Sequence, residues 1–129
     1  MRFCILVQGS PTSVAAATAL NFTAAALKLG HEVVRVFFTG DSVGVARSSN
    51  VIPQDERDLG LAWSELAQGH AVDLVVCVSA ALKRGVLDAG EANRYERPAP
   101  TLLPGFSISG LGQLVEASMM ADRVVTFGA

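Results

Sequence analysis

The chain has only two cysteines, Cys4 and Cys77, and no tract of basic residues. Two thiols cannot build the disulfide framework of a small secreted domain, and two histidines add little material for a zinc site. The ten basic residues are dispersed among twelve acidic ones, so capture of nucleic acid through its phosphates is not expected. We therefore expect a chain from a reducing compartment, the cytoplasm, without a bound metal.

Long hydrophobic runs are also missing, although no charged residue occurs between Arg2 and Lys28. Turn-forming residues at Gln8–Ser13 interrupt this interval. The apolar run before them spans about five residues, which is shorter than the apolar core of a signal peptide. The run after them carries polar residues, as a buried helix does and a membrane span does not. We expect neither a signal peptide nor a transmembrane helix.

Charge is scarce overall, since 17% of the residues are charged and 50% are hydrophobic. A chain of 129 residues is long enough to bury one substantial core, so we predict a single domain over residues 1–129. With so little charge, the surface of that domain must include apolar residues. This composition indicates contacts with other subunits.

Short apolar runs rich in β-branched residues alternate with helical patterns along the whole chain. The predicted strands are residues 3–7, 33–38, 74–78, 106–109 and 123–127. Four helices are predicted. The first is capped by Ser10 or Thr12 and ends at Gly30, and the third is a short helix that is capped by Ser79 and ends at Gly85. The second covers residues 55–68 and the fourth covers residues 110–120. This alternation predicts an α/β protein, a three-layer α/β/α sandwich around a mostly parallel sheet of about five strands.

The remaining segments have weaker patterns. Residues 39–54 predict a packed loop or a loop with one helical turn, and residues 88–97 predict one or two helical turns. In the last helix we expect the buried side to consist of Leu111, Leu114, Val115 and Ala117.

The stretch from Asp73 to Gly85 is the strongest candidate for chemistry. Its apolar run ends at Cys77 and Val78, and Ser79 follows as the cap of a short helix. In open α/β sheets, ligands gather outside the carboxyl ends of the strands. Free N–H groups at the start of a helix also favour a thiolate over a thiol. Cys77 is therefore a candidate nucleophile, although a cysteine packed as a small hydrophobic residue is the common alternative.

Five other residues could contribute to a site around Cys77, and the first is Ser79, which could stabilise the thiolate from the start of the short helix. Lys83 and Arg84 could raise the local potential and guide an anionic sulfur species, or they could simply cap the short helix at its C-terminus. Gly9 and Ser10 follow the first strand and are expected at the same edge of the sheet, where they could line the same cleft. Without a Gly-x-Gly-x-x-Gly pattern, their turn is more typical of a structural turn than of a phosphate loop.

Four segments of the chain resemble the DsrE/DsrF-like family of sulfurtransferase subunits. They are Gly30–Glu32 with Val36–Phe38, Cys77–Gly85, Gly105–Gly112, and Glu116–Ser118 with Asp122–Val125. The likeness extends over nearly the whole chain. It is weakest in the turn after the first strand and in residues 93–104.

The resemblance implies a DsrE-like fold and an enzyme: a cytoplasmic sulfurtransferase subunit that relays persulfide sulfur toward 2-thiouridine at the tRNA wobble position. It implies a heterohexamer with TusB-like and TusC-like subunits, a TusA-like sulfur donor and a TusE-like acceptor. The tRNA would be an indirect partner, and no membrane would be involved. Carried over onto the matching position, Cys77 is the persulfide carrier. No metal or organic cofactor is implied.

Three alternatives remain open from the sequence. A DsrE-like subunit of a sulfur-oxidation pathway has the same motifs. A non-catalytic scaffold subunit would hold Cys77 as a packing residue. A flavodoxin-like module would bind a flavin or a nucleotide at the same edge of the sheet.

Overall fold

A five-stranded sheet, parallel throughout, is the centre of the computed structural model, which describes residues 1–128. The strands are β1 (Arg2–Val7), β2 (Glu32–Phe38), β3 (Leu74–Cys77), β4 (Phe106–Ser109) and β5 (Arg123–Phe127). Their spatial order is β4-β3-β2-β1-β5. All four pairings are parallel, so every strand ends at the same edge of the sheet.

Five α-helices and one 3₁₀ segment connect the strands. The helices are α1 (Val14–Lys28), α2 (Leu59–His70), α3 (Val78–Lys83), α4 (Ala89–Arg94) and α5 (Gly112–Met120), and the 3₁₀ segment is Gly40–Ala46. From β1 to β4 the chain moves across the sheet in one direction, and the step to β5 reverses it. Right-handed crossovers therefore place α1 and α2 on one face and α5 on the other. The predicted α/β/α architecture with a parallel sheet is confirmed.

The core lies mainly between the sheet and the α1–α2 layer. Phe38 of β2 packs edge-on against Trp63 of α2, with ring centroids 5.3 Å apart, and against Phe106 of β4 at 5.5 Å. All four residues of β3 are buried, as expected of a strand with layers on both faces. This burial fixes the end of β3, and hence Cys77, in one position.

The predicted starts of α1 and α2 are wrong. Helix α1 is capped by Ser13, whose Oγ accepts the Ala16 N–H at 3.2 Å, and not by Ser10 or Thr12. Ser10 instead belongs to the turn before α1, where the Ser13 N–H and the Ser13 hydroxyl both donate to the Ser10 carbonyl. Helix α2 begins at Leu59 with Asp58 as its cap, so the helical pattern from Asp55 onward overestimated its length.

The glycine ends were predicted correctly. Gly30 and Gly85 have φ values of 86° and 70°, and each follows the last residues of its helix, α1 and α3. In both cases the next residue donates its N–H back into the helix, His31 to Ala26 and Val86 to Ala81. These are Schellman caps, which need a left-handed residue that glycine adopts without strain.

The predicted buried side of α5 is only partly correct. Ala117 is buried, but Leu111 and Val115 are 58% and 56% exposed. In the described chain, α5 is the only helix that packs against β1 and β2 on its face of the sheet. The outer side of α5 is therefore left uncovered. Polar contacts help to hold it: Arg35 of β2 donates to the Gln113 carbonyl at 2.8 Å. Among residues 1–128, no helix combines the length and the apolar character needed to cross a membrane.

Candidate active site

The site is built where β2 and β3 end side by side. Phe38 pairs with Val76 in the parallel register, so the next residues, Thr39 and Cys77, lie opposite each other at the edge of the sheet. After Cys77 the chain turns directly into α3, which begins at Val78. The expected cap at Ser79 is therefore wrong: Cys77 itself is the cap position, and Ser79 lies in the first turn.

Hydrogen-bond donors lie beside the Cys77 sulfur. The Ser79 hydroxyl lies 3.5 Å from the sulfur. The backbone N–H groups of Ser79 and Ala80, at the open start of α3, and the Thr39 side chain also lie close enough to stabilise the thiolate. These groups belong to two different segments of the chain, which the parallel pairing of β2 and β3 brings together.

These donors determine the ionisation of the thiol. Burial alone raises the pKa of Cys77, because it removes water from the charged form. The hydrogen bonds from Ala80, Ser79 and Thr39 stabilise the thiolate and outweigh burial, so the pKa lies below that of an ordinary thiol. A lowered pKa is typical of reactive cysteines.

The other cysteine has the opposite environment. Cys4 is 0% exposed in β1, and burial raises its pKa, with the Arg35 guanidinium opposing only part of the effect. Cys77 is 4% exposed at the carboxyl end of β3. Of the two thiols, therefore, Cys77 is the one with both residual exposure and a stabilised thiolate.

Lys83 and Arg84 lie at the far end of α3 from Cys77. Arg84 donates to the Ala80 carbonyl at 3.1 Å and pairs with Asp41 of the 3₁₀ segment at 2.9 Å. The bond to the Ala80 carbonyl corresponds to the alternative in which Arg84 caps the C-terminus of α3. Lys83 is exposed. The lowered pKa of Cys77 comes from hydrogen bonds and not from these two cations.

Gly9 and Ser10 lie at the same edge of the sheet, at the end of β1. Strand β2 separates β1 from β3, so they are about 10 Å from Cys77 across the sheet. A Cβ atom on Gly9 would lie 2.6 Å from Ser13 Oγ and 2.9 Å from the Gly128 carbonyl, so only glycine fits that close approach. Ser10 accepts the hydrogen bonds that close the turn before α1.

Thr39 is the residue of this site that the sequence did not single out. Its side chain makes no hydrogen bond to the start of the 3₁₀ segment, although Thr39 occupies the cap position, so its hydroxyl is left for the thiol. Knowing that β2 neighbours β3 would have identified it, because Thr39 comes directly after β2. Within residues 1–128, no three His, Cys, Asp or Glu side chains cluster closely enough to hold a metal ion.

A cysteine of this kind can act as a nucleophile without further groups. The thiolate is the reactive form, and its rate in exchange reactions depends on the ionised fraction, the nucleophilicity and the access to the sulfur. The fold and the thiol together define an α/β protein with one activated cysteine at the carboxyl edge of a parallel sheet.

The sequence pattern of the DsrE/DsrF-like family matches residues 1–127, and the chain belongs to this family. A Pseudomonas aeruginosa protein named sulfurtransferase TusD homolog is 52% identical, over 99% of this chain and 98% of its own length. The Salmonella enteritidis sulfurtransferase TusD is 46% identical, over 98% of this chain and 100% of its own length. The putative sulfurtransferase DsrE of Allochromatium vinosum is also 46% identical, over 99% of both chains. The chain is thus a sulfurtransferase, and the predicted family is confirmed.

A solved structure supports the same fold. The YchN protein of Escherichia coli superposes with a TM-score of 0.78, covering 98% of this chain and 100% of its own, at 21% identity. This similarity concerns the fold alone.

Proposed function

We propose that Cys77 is the persulfide carrier of a sulfur relay that leads to 2-thiouridine at the wobble position of tRNA. The Cys77 thiolate attacks the outer sulfur of a donor persulfide, R–S–SH. A new S–S bond forms on Cys77, the donor S–S bond breaks, and the donor leaves as its thiolate. An acceptor thiolate then takes the outer sulfur from Cys77–S–SH and returns Cys77 to the thiolate, so no external oxidant or reductant is needed.

The observation that carries this proposal is the group of donors beside the Cys77 sulfur, which lowers its pKa. The same N–H and O–H groups that stabilise the thiolate also stabilise Cys77 as a leaving group when an acceptor attacks the outer sulfur. One arrangement therefore serves both transfers. The 52% and 46% identities to proteins named TusD support the tRNA pathway.

The proposal includes an assembly in the cytoplasm with TusB-like and TusC-like subunits, which receives sulfur from a TusA-like donor and passes it to a TusE-like acceptor. An exposed apolar stripe on α5 supports a subunit interface. Leu111, Val115 and Met119 recur at four-residue intervals, with Met119 82% exposed. Stable subunit interfaces cover apolar residues of this kind.

A second candidate is a DsrE-like subunit of a sulfur-oxidation pathway, which the 46% identity to the Allochromatium protein supports. The two candidates share the carrier chemistry and differ in the final acceptor. A non-catalytic scaffold role predicts instead that Cys77 never carries sulfur. Its 4% exposure makes this alternative worth testing directly.

Replacing the chromosomal gene by a Cys77→Ser allele tests the pathway. We expect the variant protein to accumulate normally, since serine is close in size to cysteine, and 2-thiouridine to disappear from hydrolysed tRNA analysed by mass spectrometry. Normal 2-thiouridine together with impaired oxidation of stored sulfur would instead favour the second candidate. Normal 2-thiouridine with unimpaired sulfur oxidation would favour the scaffold. Cys4→Ser is the matched control and should leave 2-thiouridine unchanged.

A further inference from the structure

A basic pocket lies at the opposite end of α3 from Cys77. It has a volume of about 500 Å³ and is lined by Leu82, Lys83, Gly85, Leu87, Tyr95 and Arg97. The leucines give it an apolar floor, and Tyr95 is 44% exposed at its rim. Its volume lies in the range of pockets that hold ligands or anchoring side chains.

The two cations of this pocket have no acidic partner. None of its lining residues is acidic, and within residues 1–128 neither Lys83 nor Arg97 takes part in an ion pair. Arg97 donates one N–H to the Tyr95 carbonyl at 2.9 Å, which places the guanidinium at the rim. The pocket therefore combines apolar contact with two cations that form no ion pair within the described chain.

The backbone that positions Tyr95 and Arg97 is strained. Glu96, between them, has a φ of 54°, a left-handed conformation that costs non-glycine residues roughly 1–2 kcal/mol. The turn is a Schellman cap of α4, with the Arg97 N–H bonded to the Ala92 carbonyl at 2.8 Å. At the equivalent positions after α1 and α3 the chain has Gly30 and Gly85. Strain of this kind is concentrated at functional sites.

We propose that this pocket docks an acidic segment, carrying an apolar side chain, of the protein that donates sulfur to Cys77. The inference rests on the proposed relay. Helix α3 has six residues, so the pocket and the thiol are separated by about 9 Å along its axis. A partner anchored there by its carboxylates can present a persulfide at the edge of the sheet. The pocket is open to solvent on one side, as binding of a protein segment requires.

The test compares three sulfur donors on the full-length protein. They are a peptide of Glu, Leu and Tyr that ends in cysteine persulfide, the same peptide with Gln in place of Glu, and free cysteine persulfide. Sulfur on Cys77 is followed by mass spectrometry, and kcat/KM is measured at low and high salt. Fluorescence anisotropy of the labelled acidic peptide measures binding without any sulfur transfer.

We expect the acidic peptide to react faster than the Gln peptide, with an advantage that shrinks at high salt. Arg97→Glu should reduce kcat/KM for the acidic peptide by about tenfold and weaken its binding, while the reaction with free cysteine persulfide is unchanged. Lys83→Gln should act in the same direction. Arg123→Glu, the same change at the first residue of the edge strand β5, is the control and should have no effect.

Equal reactivity and equal binding of the Glu and Gln peptides would overturn the docking proposal. Slower reaction of Arg97→Glu with free cysteine persulfide would also overturn it, since the charge would then act on the thiol itself. If no donor loads Cys77, the relay is refuted, and the anisotropy measurement still tests the docking proposal. If Arg97→Glu does not weaken the binding of the acidic peptide, the peptide does not bind in this pocket and the docking proposal is overturned.

Discussion

Thr39→Val gives a direct test of how the thiolate is stabilised. Valine has the shape of threonine and suits the extended backbone of this position, with φ of −139° and ψ of 167°. The Thr39 N–H bond to the Val7 carbonyl and the Ser42 hydroxyl bond to the Thr39 carbonyl involve the backbone of Thr39, so both survive. The substitution therefore removes one hydroxyl near the sulfur and leaves the fold in place.

The size of the effect follows from the strength of a hydrogen bond to a charged group, about 1.5 kcal/mol net. Losing it lowers the ionisation constant of Cys77 by about tenfold. A more basic thiolate is also a better nucleophile, and with a Brønsted slope of about 0.45 the intrinsic rate rises about threefold. The two effects oppose each other, and which one dominates depends on pH.

The assay is the rate of Cys77 alkylation by iodoacetamide in the native protein, followed by mass spectrometry over a range of pH. Below both pKa values we expect Thr39→Val to react about threefold more slowly than the wild type, because the smaller ionised fraction dominates. Above both values it should react about threefold faster, so the two pH profiles cross. Thr126→Val on β5 is the matched control. Superimposable profiles of wild type and Thr39→Val would refute the role of the hydroxyl.

Three further predictions concern stability and the second thiol. Gly9→Ala should lower the free energy of unfolding, measured in urea, by about 1–3 kcal/mol, because the added Cβ meets the Gly128 carbonyl. The control is Gly69→Ala, inside α2 with open space around it, which should raise the free energy of unfolding by about 0.5–1 kcal/mol. Equal effects would contradict the assigned geometry. Ala71→Gly should raise stability by about 1 kcal/mol, since Ala71 has a φ of 55°, and a loss would be inconsistent with that strain. Cys4 should resist alkylation at neutral pH while the protein is folded; rapid labelling would disprove its burial.

Local patterns in the sequence predicted most of the fold. The strands are short apolar runs, and Gly30 and Gly85 mark helix ends because a left-handed residue is needed there. The start of α1 was harder, because Ser10, Thr12 and Ser13 are all good caps and only packing selects Ser13. Periodicity could not reveal that Leu111 is exposed, since the uncovered side of α5 depends on tertiary structure.

The site was predicted in part. The end of a buried strand and the start of a helix singled out Cys77, and these are local features. Thr39 is far from Cys77 in sequence, and the two become neighbours through the pairing of β2 with β3. Strand order is not readable from a single sequence. The basic pocket likewise depends on the turn after α4, which brings Arg97 beside Lys83.

The most direct test of the relay is the mass of the protein after incubation with a persulfide donor. For the wild type, the relay predicts the addition of one sulfur atom, located on Cys77 by peptide mapping, and its removal by an acceptor thiol. In Cys77→Ser no sulfur should be added, while Cys4→Ser should load like the wild type. Undiminished sulfur addition to Cys77→Ser would contradict the assignment of Cys77 as the carrier.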